Sequence, residues 1–194
     1  MQSRLIILSA VFSLFMIAPA QAHLLPGEHG SLAAGFTHPL FGLDHILVMV
    51  AVGLWAFRIG GPAKWAVPGS FVAMMGLGFA FALFGGALPF VEPVILASVV
   101  ALGLLIAFAV QLPTVLSVVV VGGFAVFHGF AHGAEIGDAG AAAYATGFAL
   151  ATVALHAAGI GLGIGIAKVR NHGDGLARAM GAGTAVAGLA LFLV

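Results

Sequence analysis

Six apolar runs, each about long enough to cross a bilayer, follow one another at about residues 38 to 57, 66 to 87, 92 to 110, 114 to 133, 141 to 167 and 176 to 194. A transmembrane helix needs about 20 such residues. Hydrocarbon offers backbone groups no water to bond, so runs of this kind must satisfy their own N–H and C=O groups as helices. The breaks between them are short, which predicts sequential helices as antiparallel neighbours in one compact bundle with no soluble domain. The expected fold class is an all-α membrane protein with six transmembrane helices. Composition agrees: 62% of the residues are hydrophobic and 6% charged, with mean hydropathy +1.23, against about 25% charged in soluble chains.

The start of the chain has a different character. MQSRLIILSAVFSLFMIAPAQA carries Arg4, then an apolar stretch from Leu5 to Ala18, then Ala20-Gln21-Ala22 before His23. That stretch is too short to span, and the pattern predicts a cleavable secretory signal over residues 1–22, leaving a six-helix domain at 23–194. With the mature N-terminus outside, Arg58 and Lys64 fall in the first inner loop and Lys168, Arg170 and Arg178 in the third, while the outer loops hold no Lys or Arg. This obeys the positive-inside rule for a multi-pass membrane protein. Trp55 and Trp65 flank the first inner loop, where interfacial anchors are expected. Gly159, Gly161, Gly163 and Gly165 in GIGLGIGI, with Gly181 and Gly183, give the small-residue spacing of close helix packing.

Lys and Arg number six and so do Asp and Glu, so net charge points to no nucleic-acid partner. The chain has no Cys, which excludes disulfides, iron–sulfur clusters and thiolate metal sites. It also lacks a GxxxxGK[ST] loop, so nucleotide hydrolysis within this polypeptide is not expected. Eight His among so few polar residues then need a reason. FTHPLFGLDHILVMV places His38, Asp44 and His45 at the head of the first run, and VFHGFAHGAEIGD places His128, His132 and Glu135 at the end of the fourth. A carboxylate within a membrane helix costs several kcal/mol on insertion scales, roughly 2.5–3.5. His128 and His132, four apart, share a helix face, and Glu135 follows on nearly the same face.

Opposed helix directions predict that both sets lie in the outer half of the membrane. Along a straight first helix Asp44 and His45 lie about 10 Å below His38, level with His128 and His132, while His38, Glu92, Glu135 and Asp138 lie nearer the mouth. A bound divalent cation would neutralise the carboxylates and accept the imidazole lone pairs. Nitrogen and oxygen donors without thiolates point to Ni²⁺, Co²⁺ or Zn²⁺, among which donor chemistry alone does not choose. A histidine in a membrane helix also serves simply as a polar group hydrogen-bonded to a neighbouring helix.

HPLFGLDH and FHGFAHGAE resemble the two signature motifs of the HupE/UreJ family of nickel/cobalt permeases, and the resemblance extends along the whole chain. It implies secondary uptake of Ni²⁺ or Co²⁺ as transported substrate, with no permanently bound cofactor, for delivery to enzymes such as hydrogenase or urease. By motif position it assigns His38, Asp44, His45, His128, His132 and Glu135 to the metal, with Phe71 in PGSFVAMMG and Glu92 in VEP also matching. An intramembrane zinc-dependent hydrolase is the alternative use of the same inventory, one carboxylate acting as general base for a metal-bound water. A haem carrier would need facing axial His pairs, and a metal sensor would bind the ion without moving it. A string of ligands leading inward suits an ion that must enter and leave. On that path His23 and His29 would stand at the outer mouth and His156 further in, where helix-to-helix hydrogen bonding is the other role open to it. His172 is expected to be solvated, and Met49, Met74, Met75 and Met180 to pack.

Overall fold

The structure, a computed structural model, describes residues 31–136, 140–169 and 172–193. The expected signal at 1–22 and His23, His29, Asp138 and Arg170 lie outside the described residues. The described chain is helical throughout: α1 Leu32–Phe41, α2 Leu43–Ile59, α3 Ala63–Leu83, α4 Val91–Ala107, α5 Thr114–Ile136, α6 Ala141–Ala167 and α7 Gly173–Leu191. Three of these, α3, α5 and α6, are long and apolar enough to cross a membrane, and α1 with α2 forms a fourth candidate if that bent pair is one span. α4 is apolar but has 17 residues, at the short end of what spans. α7 begins polar, with Asp174 and Arg178 in its first turns.

The first expected run is not one straight helix. α1 and α2 meet at 85°. Ser31 caps α1, its Oγ accepting from Ala34 N at 2.9 Å, and Pro39 near the other end lacks the N–H that would continue the ladder. Gly42 then turns extended, with φ −83° and ψ 114°. The angles themselves suit any residue, but the space does not. A Cβ at position 42 would lie 2.8 Å from His45 Nδ1 and 3.0 Å from Asp44 Oδ1, so those side chains can sit as close to the break as they do only with glycine there.

Short loops did not decide which helices pair. The most extensive contacts join α3 with α5, α4 with α7, and α6 with both α1 and α2; the sequential pairs α3–α4 and α5–α6 are not among the closely packed ones, contrary to the expectation drawn from loop length. Glycines make these seams. A Cβ on Gly78 would run into the backbone of Val126, one on Gly129 into that of Met75, one on Gly53 into that of His156, and one on Gly103 into that of α7 at Ala185. Lipid is as apolar as the helix surfaces, so close van der Waals approach rather than hydrophobic burial selects the partners. In GIGLGIGI the helical period divides the roles: Gly159 and Gly163 press on α2, and Gly161 and Gly165 face open space.

Trp55 departs from its expected interfacial place. It is buried, and its indole Nε1 donates to the carbonyl of Val110 at 3.0 Å, tying α2 to the end of α4; Trp65, by contrast, is exposed.

Candidate metal centre

The break at Gly42 points the end of α1 and the start of α2 at one spot. His38 comes from the last turn of α1, Asp44 and His45 from the first turn of α2, and His128, His132 and Glu135 from the last two turns of α5. His38, His45 and His132, all buried, each offer a ring nitrogen within 4.8 Å of the other two. His45 Nε2 and His132 Nε2 lie 2.6 Å apart, and the rings of His38 and His132 have centroids 4.5 Å apart. Two ring nitrogens that close can share one proton or turn their lone pairs to one cation. α2 and α5 are not among the helices in close backbone contact, and the imidazoles bridge the space between them.

The carboxylates stand behind the rings. Asp44 Oδ1 is 2.9 Å from His45 Nδ1, in ion-pair reach although off the line of a full hydrogen bond. Glu135 Oε2 is 3.7 Å from His132 Nδ1. A carboxylate on one ring nitrogen orients the other nitrogen toward the metal and raises its basicity. Here it leaves the two Nε2 atoms facing inward. Asp44 also sits at the N-terminus of α2, where the free amides and the helix dipole favour a negative charge. Its side chain is 23% exposed and that of Glu135 62%, so buried nitrogen gives way to an accessible acidic rim. Glu92, exposed in the first turn of α4, lies within electrostatic range of Asp44, Glu135 and His45.

Two expected positions change. His38 was placed about 10 Å above the other ligands on a straight helix; the 85° bend brings it into the cluster. His128 was placed at the shared centre; its ring stands 5.5 Å from that of His45, but its Nε2 is 3.1 Å from Ser98 Oγ, and it is not one of the three converging imidazoles. The Ser98 hydroxyl donates to the carbonyl of Ile95 at 2.6 Å, which leaves its oxygen to accept from His128. Phe71, fully buried in α3, packs between His128, at 5.5 Å and 50°, and His156, at 5.1 Å and 83°.

Sequence reasoning missed Ser98, Tyr144 and Phe148. Phe148 lies with its ring 4.5 Å from His132, 6.1 Å from His45 and 6.2 Å from His38, an aromatic wall common to all three imidazoles. Tyr144, the chain's one tyrosine, is 6.1 Å from His38 and stacks on Phe79 and Phe148. The available signals were that Ser98 is the sole polar side chain between Glu92 and Gln111, and that Tyr144 and Phe148 recur at one-turn spacing on α6.

Residues 10–191 match the family described as HupE / UreJ protein. The chain belongs to the HupE/UreJ family. Protein HupE of Rhizobium leguminosarum bv. viciae is 47% identical over 178 residues, which cover 90% of this chain and 92% of that one. No solved structure matches the chain. For this HupE/UreJ member both polar motifs fall on the two sides of the imidazole cluster, one at the α1–α2 break and the other at the end of α5.

Proposed function

We propose that this HupE/UreJ protein takes up Ni²⁺ or Co²⁺ across a bacterial inner membrane by secondary transport, supplying the maturation of enzymes such as hydrogenase or urease. The observation that carries the reading is the convergence of three buried imidazoles, His38, His45 and His132, within 4.8 Å of one another in a chain with no thiolate. Neutral imidazoles suit borderline divalent ions, and oxygen-seeking Ca²⁺ or Mg²⁺ would not select them. Asp44 and Glu135 orient the rings and, with Glu92, draw the cation to the rim; His128 supports His45 from the side. The transported ion is the substrate, and no residue is assigned a catalytic role.

In this reading residues 1–22 are removed as a signal, the remaining domain crosses the membrane six times, and the mature N-terminus and the acidic rim face outward. The broken α1–α2 pair forms the first crossing, as discontinuous helices do at transporter binding sites. Uptake of radioactive nickel into vesicles reconstituted with the purified protein, with cobalt and zinc as competitors, tests it. Accumulation under an imposed inside-negative potential, suppressed by cobalt more than by zinc, is expected. Vesicles that gain no divalent metal under that potential rule the proposal out.

A further inference from the structure

His156 stands apart from the cluster. It is 2% exposed, and neither of its ring nitrogens has a hydrogen-bond partner, whereas His45 and His128 each have a polar neighbour. An imidazole buried without a partner costs free energy that packing does not return. It is also held firmly in place. α2 presses against α6 at this level, where a Cβ on Gly53 would meet the His156 carbonyl.

The surroundings connect it to the cluster. Phe148, Thr152 and His156 lie on one buried stripe of α6 at one-turn spacing. Phe148 touches the imidazole trio, and His156 follows about 12 Å further along the helix at 1.5 Å per residue. Between them the Thr152 hydroxyl donates to the Phe148 carbonyl at 2.8 Å and lies 3.7 Å from Met75 Sδ. The Phe71 ring separates His156 from His128. An apolar partition with an unused nitrogen lone pair behind it is poorly explained as structural glue, because glue would be bonded.

We propose that His156 is a second, weak binding site for the same divalent transition-metal cation, which reaches it from the imidazole cluster past Phe71, with Thr152 Oγ1 and Met75 Sδ as donors on the way. The inference rests on the nickel/cobalt reading of the cluster. One imidazole with a hydroxyl and a thioether nearby is a sparse donor set that borderline ions accept. Sparse donors suit a site that an ion must leave as readily as it enters.

The test compares initial rates of nickel uptake in reconstituted vesicles for wild type, His156→Leu, His156→Gln and His132→Ala, with thermal midpoints in detergent. His156→Leu is expected to lower the maximal rate about tenfold while the half-saturating nickel concentration stays within about twofold, since capture occurs elsewhere. Its thermal midpoint should equal or exceed that of wild type, because an unpartnered buried polar group has been removed. His156→Gln, polar but without the imidazole lone pair, should show the same loss of rate. A wild-type maximal rate in either His156 variant, or a loss of rate in His156→Leu accompanied by a lowered midpoint, overturns the second site. Wild-type uptake by His132→Ala instead overturns the cluster reading itself, so the two failures are told apart.

Discussion

At its N-terminal end α2 presents Asp44 and His45 to buried imidazoles, whereas near its C-terminal end Arg58 donates to Asp174 at 2.6 Å. Asp174 is 66% exposed in its side chain, and Arg178 stands 4.0 Å away on the same helix. Arg58 holds the Asp174 carboxyl below the usual carboxylate range by hydrogen bond and charge. The second end is already satisfied: each charge has its opposite, the carboxylate stands open to water, and nothing there calls for a ligand. At the first end, nitrogen lone pairs converge in a buried space with their carboxylates turned away, and the set is completed only by a shared proton or a cation. One helix thus carries a pair that closes its own electrostatics and a cluster that leaves them open.

The hardest blow to this contrast is at the centre of the cluster. His132→Ala removes one of the three converging nitrogens and strands His45 Nε2, and it should lower nickel uptake by at least about 100-fold, beyond the 10- to 100-fold typical of losing an outer partner, while immunoblots of membrane fractions still find the protein. Near-normal uptake at limiting metal would mean that the cluster is no more in need of a ligand than the Arg58 end. Asp44→Asn tests the orienting carboxylate. It keeps the volume and removes the charge behind His45, and uptake should fall about 10- to 100-fold; an unchanged half-saturating concentration and rate would make Asp44 a mere helix-end charge.

Gly42→Ala sharpens the comparison without touching a polar group. The added methyl would stand 2.8 Å from His45 Nδ1 and 3.0 Å from Asp44 Oδ1, side-chain atoms that can give way, so the fold should persist while the ring is displaced. A loss of uptake of about tenfold, on the scale by which small misplacements weaken a positioned site, with an unchanged thermal midpoint is expected. A lowered midpoint with normal uptake would assign Gly42 to folding alone. The smallest effect belongs to the other end. Arg58→Gln breaks a pair whose carboxylate is open to water, and pairs screened in this way contribute little, so uptake and thermal midpoint should stay close to wild type near neutral pH. Because the folded carboxyl titrates below its ordinary value, what the pair contributes is present above that ordinary value and is lost as pH falls through the lowered one. Any difference between wild type and Arg58→Gln should therefore vanish under strongly acidic conditions, and one that grows on acidification would contradict the pairing.

The cluster was legible to an uneven degree. His45 and His132 meet, with Asp44 and Glu135 beside their rings, as spacing and opposed helix direction led one to expect, because imidazoles and carboxylates in an apolar chain have few reasons to be there. His38 and His128 exchanged roles. Both changes come from local events that spacing does not encode: the 85° break at Gly42, and a hydrogen bond to Ser98 on a helix whose place beside α5 could not be read. Trp55 went astray similarly, since only the packed bundle sets the Val110 carbonyl beside its indole.

By itself, then, the chain's pattern of apolar runs and sparse polar residues determined that it is helical, that it belongs with membranes and which polar side chains stand out in it, because in hydrocarbon each of these follows from the local cost of exposing backbone or burying charge. Which helices touch, where the first run breaks and which three nitrogens converge were decided by tertiary structure alone. Those depend on how glycine faces such as Gly53, Gly78 and Gly129 fit against backbones far away in sequence, and dispersion between closely approaching surfaces, falling off within an ångström, leaves no periodic trace in the order of residues.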